Sequence, residues 1–287
     1  IIYSLSVVDF NVIKGSVATR ALIIITMINF FRRIRNLPAG KAGKMADENK
    51  PMKYARYAIG EIVLVVIGIL IALQINNWNE AQKELKKEQQ ILINLKEEFQ
   101  QNIAELAFDH KINESCINAI VTLLNFDETK DFETKTIDSL IGKMYNYATF
   151  DARLGVMNDI ISSGNLELIR DSKLKYALNQ WTGELEDYKE DVIIRRDFWI
   201  NVVPSIIYKY LPLRNADASM DREDYKRHIN IEPIQVPKSN YIAFLSNLEV
   251  DSMLFDYYMN QSFVTVNEDA VMKFLEDTLV LIDANIE

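Results

Sequence analysis

Tyr57 to Glu80 reads Y-A-I-G-E-I-V-L-V-V-I-G-I-L-I-A-L-Q-I-N-N-W-N-E, and this stretch decides the fold. As an α-helix rising ~1.5 Å per residue, Tyr57 to Ile75 is roughly 28 Å long, close to the ~30 Å hydrocarbon core of a bilayer. From Ile62 to Leu73 no side chain is polar. A helix on the core of a water-soluble domain carries a wet face, and this one has none. It is read as a transmembrane helix over residues 54–78, with Tyr54 and Tyr57 at one headgroup layer and Trp78 at the other.

The flanking charges give an orientation. Arg32, Arg33, Arg35, Lys41, Lys44, Lys50, Lys53 and Arg56 precede the span, whereas Lys83, Lys86 and Lys87 beyond it alternate with Glu80, Glu84 and Glu88. The positive-inside rule then predicts a cytoplasmic segment over 1–53 and an extracytoplasmic domain over 79–287. The expectation is a single-pass protein of the inner membrane, and in a Gram-negative cell its domain would lie in the periplasm. Met27, followed by I-N-F-F-R-R-I-R, reads as a start, so residues 1–26 are taken as an upstream extension or a fragment edge; 37–49 reads as a polar linker.

Glu61 is the one acid inside the apolar stretch. It is either an intramembrane carboxylate that relays protons or pairs with another helix, or an interfacial acid reaching Arg56 or water. Gly68 and Ala72 form a small-xxx-small pair that would let two spans approach closely.

The remainder of the chain reads as helices. Nine Gly and six Pro in 287 residues leave few breaks, and 49% apolar with 25% charged residues excludes global disorder. Leu85, Leu92, Phe99 and Leu106 fall one heptad apart, with Leu95 and Ile103 beside them and Lys, Glu, Gln and Asn between. This predicts a helix from Asn79 to about Leu124 with one narrow apolar seam and a solvated remainder. A second seam (Leu174, Leu178, Trp181, Leu185, Tyr188, Val192, Arg195, Trp199, Val202) steps by four and three. Asp171 or Ser172 would cap this helix and Pro204 would end it. Gly164 is expected to close a shorter helix holding Leu154, Met157, Ile160 and Ile161. A last helix is expected from about Val250 to Leu281, with Leu254, Tyr258, Val271, Leu275 and Leu279 inward; 211–238 reads as irregular. The expected fold is all-α: one transmembrane helix continuing into an extracytoplasmic helical bundle.

The block Tyr57–Glu80, together with the basic F-F-R-R-I-R start and S-G-N-L-E-L-I-R-D-S-K-L at Ser163–Leu174, resembles a family of single-span membrane proteins from Bacteroidota, a domain of unknown function. The resemblance runs from Met27 to the C-terminus, with the linker at 37–43 as an insertion. It implies topology and no chemistry.

Net charge of −9 argues against a nucleic-acid partner, which needs a clustered basic face. Lone Cys116 cannot form an intrachain disulfide and reads as a small buried hydrophobe. Arg195, at a seam position, would bind a carboxylate ligand between helices, or else snorkel or pair with Glu190 or Asp191. Trp181 and Trp199, with Tyr188 and Phe198, would line such a pocket or simply fill the core. His110 and Glu114 are four apart and supply two metal ligands at most; with His228 distant, they read as a solvated face, so no metal or cofactor is expected. The acidic run from Glu184 reads as solvated, and no nucleophile elbow, phosphate loop or paired-Cys motif occurs. The expected function is non-enzymatic: a membrane-anchored module binding a protein partner or itself, in contact with membrane lipid. A ligand-sensing bundle at Arg195 is the alternative, and an enzyme using carboxylates the least favoured.

Overall fold

The computed structural model describes residues 50–217 and 232–287, with side chains from Ala58 onward. The N-terminal segment, its basic residues, Tyr54, Arg56, Tyr57 and His228 therefore lie outside the described side chains. All regular structure among the described residues is helical. The elements are α1 (Lys50–Leu124), α2 (Thr134–Tyr145), α3 (Gly155–Ser162), a 3-10 turn (Asn165–Leu168), α4 (Ser172–Asn201), α5 (Val203–Ile207), α6 (Leu213–Asp217), α7 (Lys238–Leu245) and α8 (Leu248–Asn285). The chain divides into two units at Gln74/Ile75.

In the first unit, the helix from Ala58 is long and apolar enough to cross a membrane, and none of its apolar window is buried. Ile62, Leu64, Ile69 and Leu70 are all more than half exposed. Such a surface is stable only in a medium as apolar as itself, which fits a membrane anchor.

The second unit is built on three long helices. Phe99 of α1 meets Trp181 of α4 (ring centroids 5.7 Å) and Asn113 meets Arg195, so α1 and α4 run parallel. Trp181 stacks on Phe274 at 5.6 Å, and Arg195 reaches Gln261, so α8 runs antiparallel to α4. Each helix turns a heptad seam inward. On α4 the buried positions are Leu174, Leu178, Trp181, Leu185, Tyr188, Val192 and Arg195, as the spacing predicts, whereas Trp199 and Val202 of the same seam are only half-buried. Asp171 caps the helix, its carboxylate accepting from Leu174 N at 2.7 Å, and Pro204 stands at the start of α5.

Several expectations need correction. Tyr257 and Thr278 take the α8 seam instead of Tyr258 and Leu279, which are half-buried. Leu85 is likewise only half-buried. The α1 remainder is not uniformly solvated: Glu88, Glu98, Asn102 and Asn113 are buried. The short helices α2, α6 and α7 were not expected. α2 is amphipathic over only three turns, with Ile137, Ile141 and Met144 inward. Gly164 does end the α3 region, at φ +70°.

The buried apolar residues form two cores. One gathers Leu92, Leu95, Phe99 and Leu106 with Trp181, Leu185, Val264 and Leu275. The other gathers Cys116, Ile120, Ile137, Ile141, Val203, Ile207, Phe244 and Tyr257. A polar layer at the level of Asn113 lies between them.

Candidate functional site

The layer is assembled from seam positions that an all-apolar bundle would fill with Leu. α1 supplies His110 and Asn113, α4 supplies Arg195, and α8 supplies Gln261 and Glu268. Asn113, Arg195, Gln261 and Glu268 are fully buried. A bare charge in such a place is unstable, so every charged member has to be bonded.

Arg195 is bonded chiefly to neutral acceptors. Its Nη1 donates to Ala148 O (3.1 Å), Gln261 Oε1 (3.3 Å) and Asn113 Oδ1 (3.5 Å), and its Nη2 to Thr149 Oγ1 (2.9 Å). The guanidinium also lies over the Tyr147 ring, 4.3 Å from its centroid. It does not pair with Asp191, whose carboxylate accepts from Asn267 instead (2.6 Å).

Glu268 is the acid of the layer. Oε1 accepts from Asn113 Nδ2 at 2.6 Å, and Oε2 lies 3.1 Å from His110 Nδ1. Asn113 thus separates the two charges, its amide oxygen toward Arg195 and its amide nitrogen toward Glu268. Burial raises the Glu268 pKa, against the hydrogen bonds of Asn113 and His110 and the nearby Arg195 charge, which lower it.

His110 therefore does not sit on a solvated face. It turns into the layer, with Glu114 and Asp269 3.7 and 3.6 Å from its Nε2. Among the described residues no three His, Cys, Asp or Glu side chains are arranged to hold a metal ion. The carboxyl of Asp109, the residue just before it on α1, is raised to about 6, by burial first and then by Glu105 and Asp151. Burial likewise pushes the Cys116 thiol up to about 12, which leaves it an inert core group.

The polar residues of α1 hold the segment 144–170 along the helix. Glu88 accepts from Arg170 N (2.8 Å) and Arg170 Nε (2.6 Å). Glu98 accepts from Val156 N (2.6 Å) and Met157 N (3.1 Å), capping the start of α3 from a neighbouring helix. Asn102 bonds both main-chain groups of Arg153, and Asn113 both of Ala148. Cys116 reaches Met144 O (3.2 Å). On the α4 side, Tyr188 OH accepts from Phe150 N (3.0 Å).

Of the residues expected to form a ligand pocket, Arg195 and Trp199 come together. They lie one turn apart, and both contact Tyr147. Trp181 lies four turns away, inside the first core against Phe99 and Phe274. Among the described residues, Arg195 Nε, Gln261 Nε2 and the indole nitrogens of Trp181 and Trp199 find no hydrogen-bond acceptor. Glu61 lies on the exposed surface of α1 within the apolar stretch. Asn113, Gln261 and Glu268 were missed in the sequence; the signal was there, since each polar residue holds a heptad position in an otherwise apolar seam.

Most of the span and the Glu88–Arg170 contact fall within one family domain. Residues 61–202 match the model of a family of unknown function, DUF6090. The DUF6090 match takes in α1 from Glu61 through α4, including Asn102, Asn113 and Arg195. It is shorter than the Met27-to-C-terminus extent that the resemblance implied, and it stops before α8. No curated protein and no solved structure matches the chain.

Proposed function

We propose that this chain is a single-pass, non-enzymatic module of the cell envelope that binds another protein through its helical domain. The N-terminus faces the cytoplasm, and the domain works on the far side of the inner membrane. The orientation rests on the basic residues before the span.

The observation that carries the interaction reading is the outer face of α8. Phe255, Met259, Phe263 and Val266 recur every three or four residues, so they share one side of the helix. They are 53%, 37%, 55% and 65% exposed, although the inward seam of the same helix is filled. Singly exposed apolar residues are ordinary, but a contiguous stripe of this kind is the usual mark of an interaction surface. The sensing alternative has less support. Arg195 already donates to Ala148, Thr149 and Gln261 of its own chain, which leaves little of the guanidinium for a carboxylate ligand.

Affinity purification of the full chain from gently solubilised membranes tests this reading. A specific companion is expected with the wild type and lost from the F255S/F263S variant. Recovery of no companion, or of the same companion with the variant, would overturn it.

A further inference from the structure

The α8 stripe is apolar along its middle and acidic around it. Within its 38 residues α8 has eight acids (Glu249, Asp251, Asp256, Glu268, Asp269, Glu276, Asp277, Asp283) and one base, Lys273. Seven of the acids lie outside the buried Glu268. Lys273 is held by Asp277 at 2.6 Å, which lowers its availability to a partner. The helix packed beside α8 adds to this field at one end of the stripe: Glu184, Glu186, Asp187, Glu190 and Asp191 of α4, with Lys189 among them, lie level with Val266 and Asp269.

This charge decides among the possible occupants. A second copy brought up in the same membrane would set Asp256 and Asp269 against the same residues of its twin. An anionic lipid surface would be repelled likewise. A surface with an apolar centre and a rim of one sign is matched by a segment of the opposite rim. The four apolar residues span 12 residues, roughly 17 Å of helix, which suits three turns of a partner helix.

We propose that the outer face of α8 docks an amphipathic helix of another protein, whose apolar stripe packs on Phe255, Met259, Phe263 and Val266 and whose flanking Lys or Arg residues meet Asp256 and Asp269. This deepens the interaction reading and rests on it. Apolar burial supplies most of the affinity, while the charges set the register and reject acidic or uncharged competitors.

The test uses the full chain in its native membrane, with a photo-crosslinking side chain at Phe263 and a control at Tyr176, which is 65% exposed on α4. The expected product at Phe263 is a cross-linked peptide from another protein, helical, with Lys or Arg within two turns on both sides of its apolar positions. The charge-reversal variant D256K/D269K should reduce the yield at least tenfold, D256K alone, away from the His110 contact of Asp269, should reduce it in the same direction with the Tm unchanged, and D256E/D269E should retain it. Cross-linking to a second copy, to lipid or to a segment without basic flanks would overturn the proposal, as would a yield indifferent to the reversal. A companion retained without any cross-link at Phe263 would overturn this docking mode and leave the interaction reading standing. The absence of any companion would remove both.

Discussion

Asn113 holds Ala148 by both of its main-chain groups, accepting from the amide at 2.9 Å and donating to the carbonyl at 3.2 Å. The same amide touches Arg195 and Glu268, so one side chain ties the segment between α2 and α3 to all three long helices. Replacing it takes a partner from four groups at once, of which those of Arg195 and Glu268 are fully buried. We expect Asn113→Ala to cost about 3 kcal/mol and Asn102→Ala, with only Arg153 to lose, about 1–2 kcal/mol. Chemical denaturation of the full chain in detergent, followed by tryptophan fluorescence, measures both.

Arg195 and Glu268 act as one buried pair at a remove. Losing Arg195 leaves Glu268 with Asn113 and His110 alone, and losing Glu268 leaves Arg195 with neutral acceptors alone, so Arg195→Met and Glu268→Gln should each cost roughly 3 kcal/mol. The double variant should lose at least ~1 kcal/mol less than the two losses summed, because no lone charge remains. Strict additivity in the cycle would show that the two charges do not sense each other.

Asp109 gives the domain a pH dependence of definite sign. Its folded pKa, about 6, stands above the unfolded value near 3.8, so the folded state favours the protonated form. The stability it contributes is present below about pH 4 and is lost as pH rises through 6. Because the side chain is only half-buried, the effect after solvent screening is about 1 kcal/mol. Asp109→Asn should therefore stabilise the domain by about that amount at pH 7.5 and by close to nothing at pH 4. The difference between the two proteins' Tm values across that range is the measurement.

Gly164 has φ +70°, where an added Cβ is strained although no atom lies within 4 Å of its position. Gly164→Ala should cost about 1 kcal/mol through backbone strain alone, with no change in the packing of α3. A comparable loss with no shift in the α3 amide signals would support this cause.

The parts of the fold that follow from repetition were legible in the sequence. The heptads of α1 and α4, the Asp171 cap and the Pro204 break each depend on neighbours a few residues away. The α8 seam slipped by one residue because Gln261, Glu268 and Thr278 occupy inward positions, and a reading based on apolar residues passes over them. Glu88, Glu98, Asn102 and Asn113 looked solvated for the same reason. Their partners Arg170, Val156, Arg153 and Ala148 lie 82, 58, 51 and 35 residues further along the chain. Nothing local announces such bonds. Arg195 was found as an anomaly in its seam, but its binding to the chain's own backbone required the position of segment 144–154.

Whether the span crosses the membrane and leaves the helical domain outside is tested most directly by labelling. Cys116 is buried, so it adds no background to a thiol reagent. A cysteine at Val280, which is 66% exposed, should react with a membrane-impermeant maleimide in spheroplasts with an intact inner membrane, and the protein should stay in the membrane pellet after carbonate extraction. Labelling only after the cells are lysed, or release into the aqueous fraction without detergent, would contradict it.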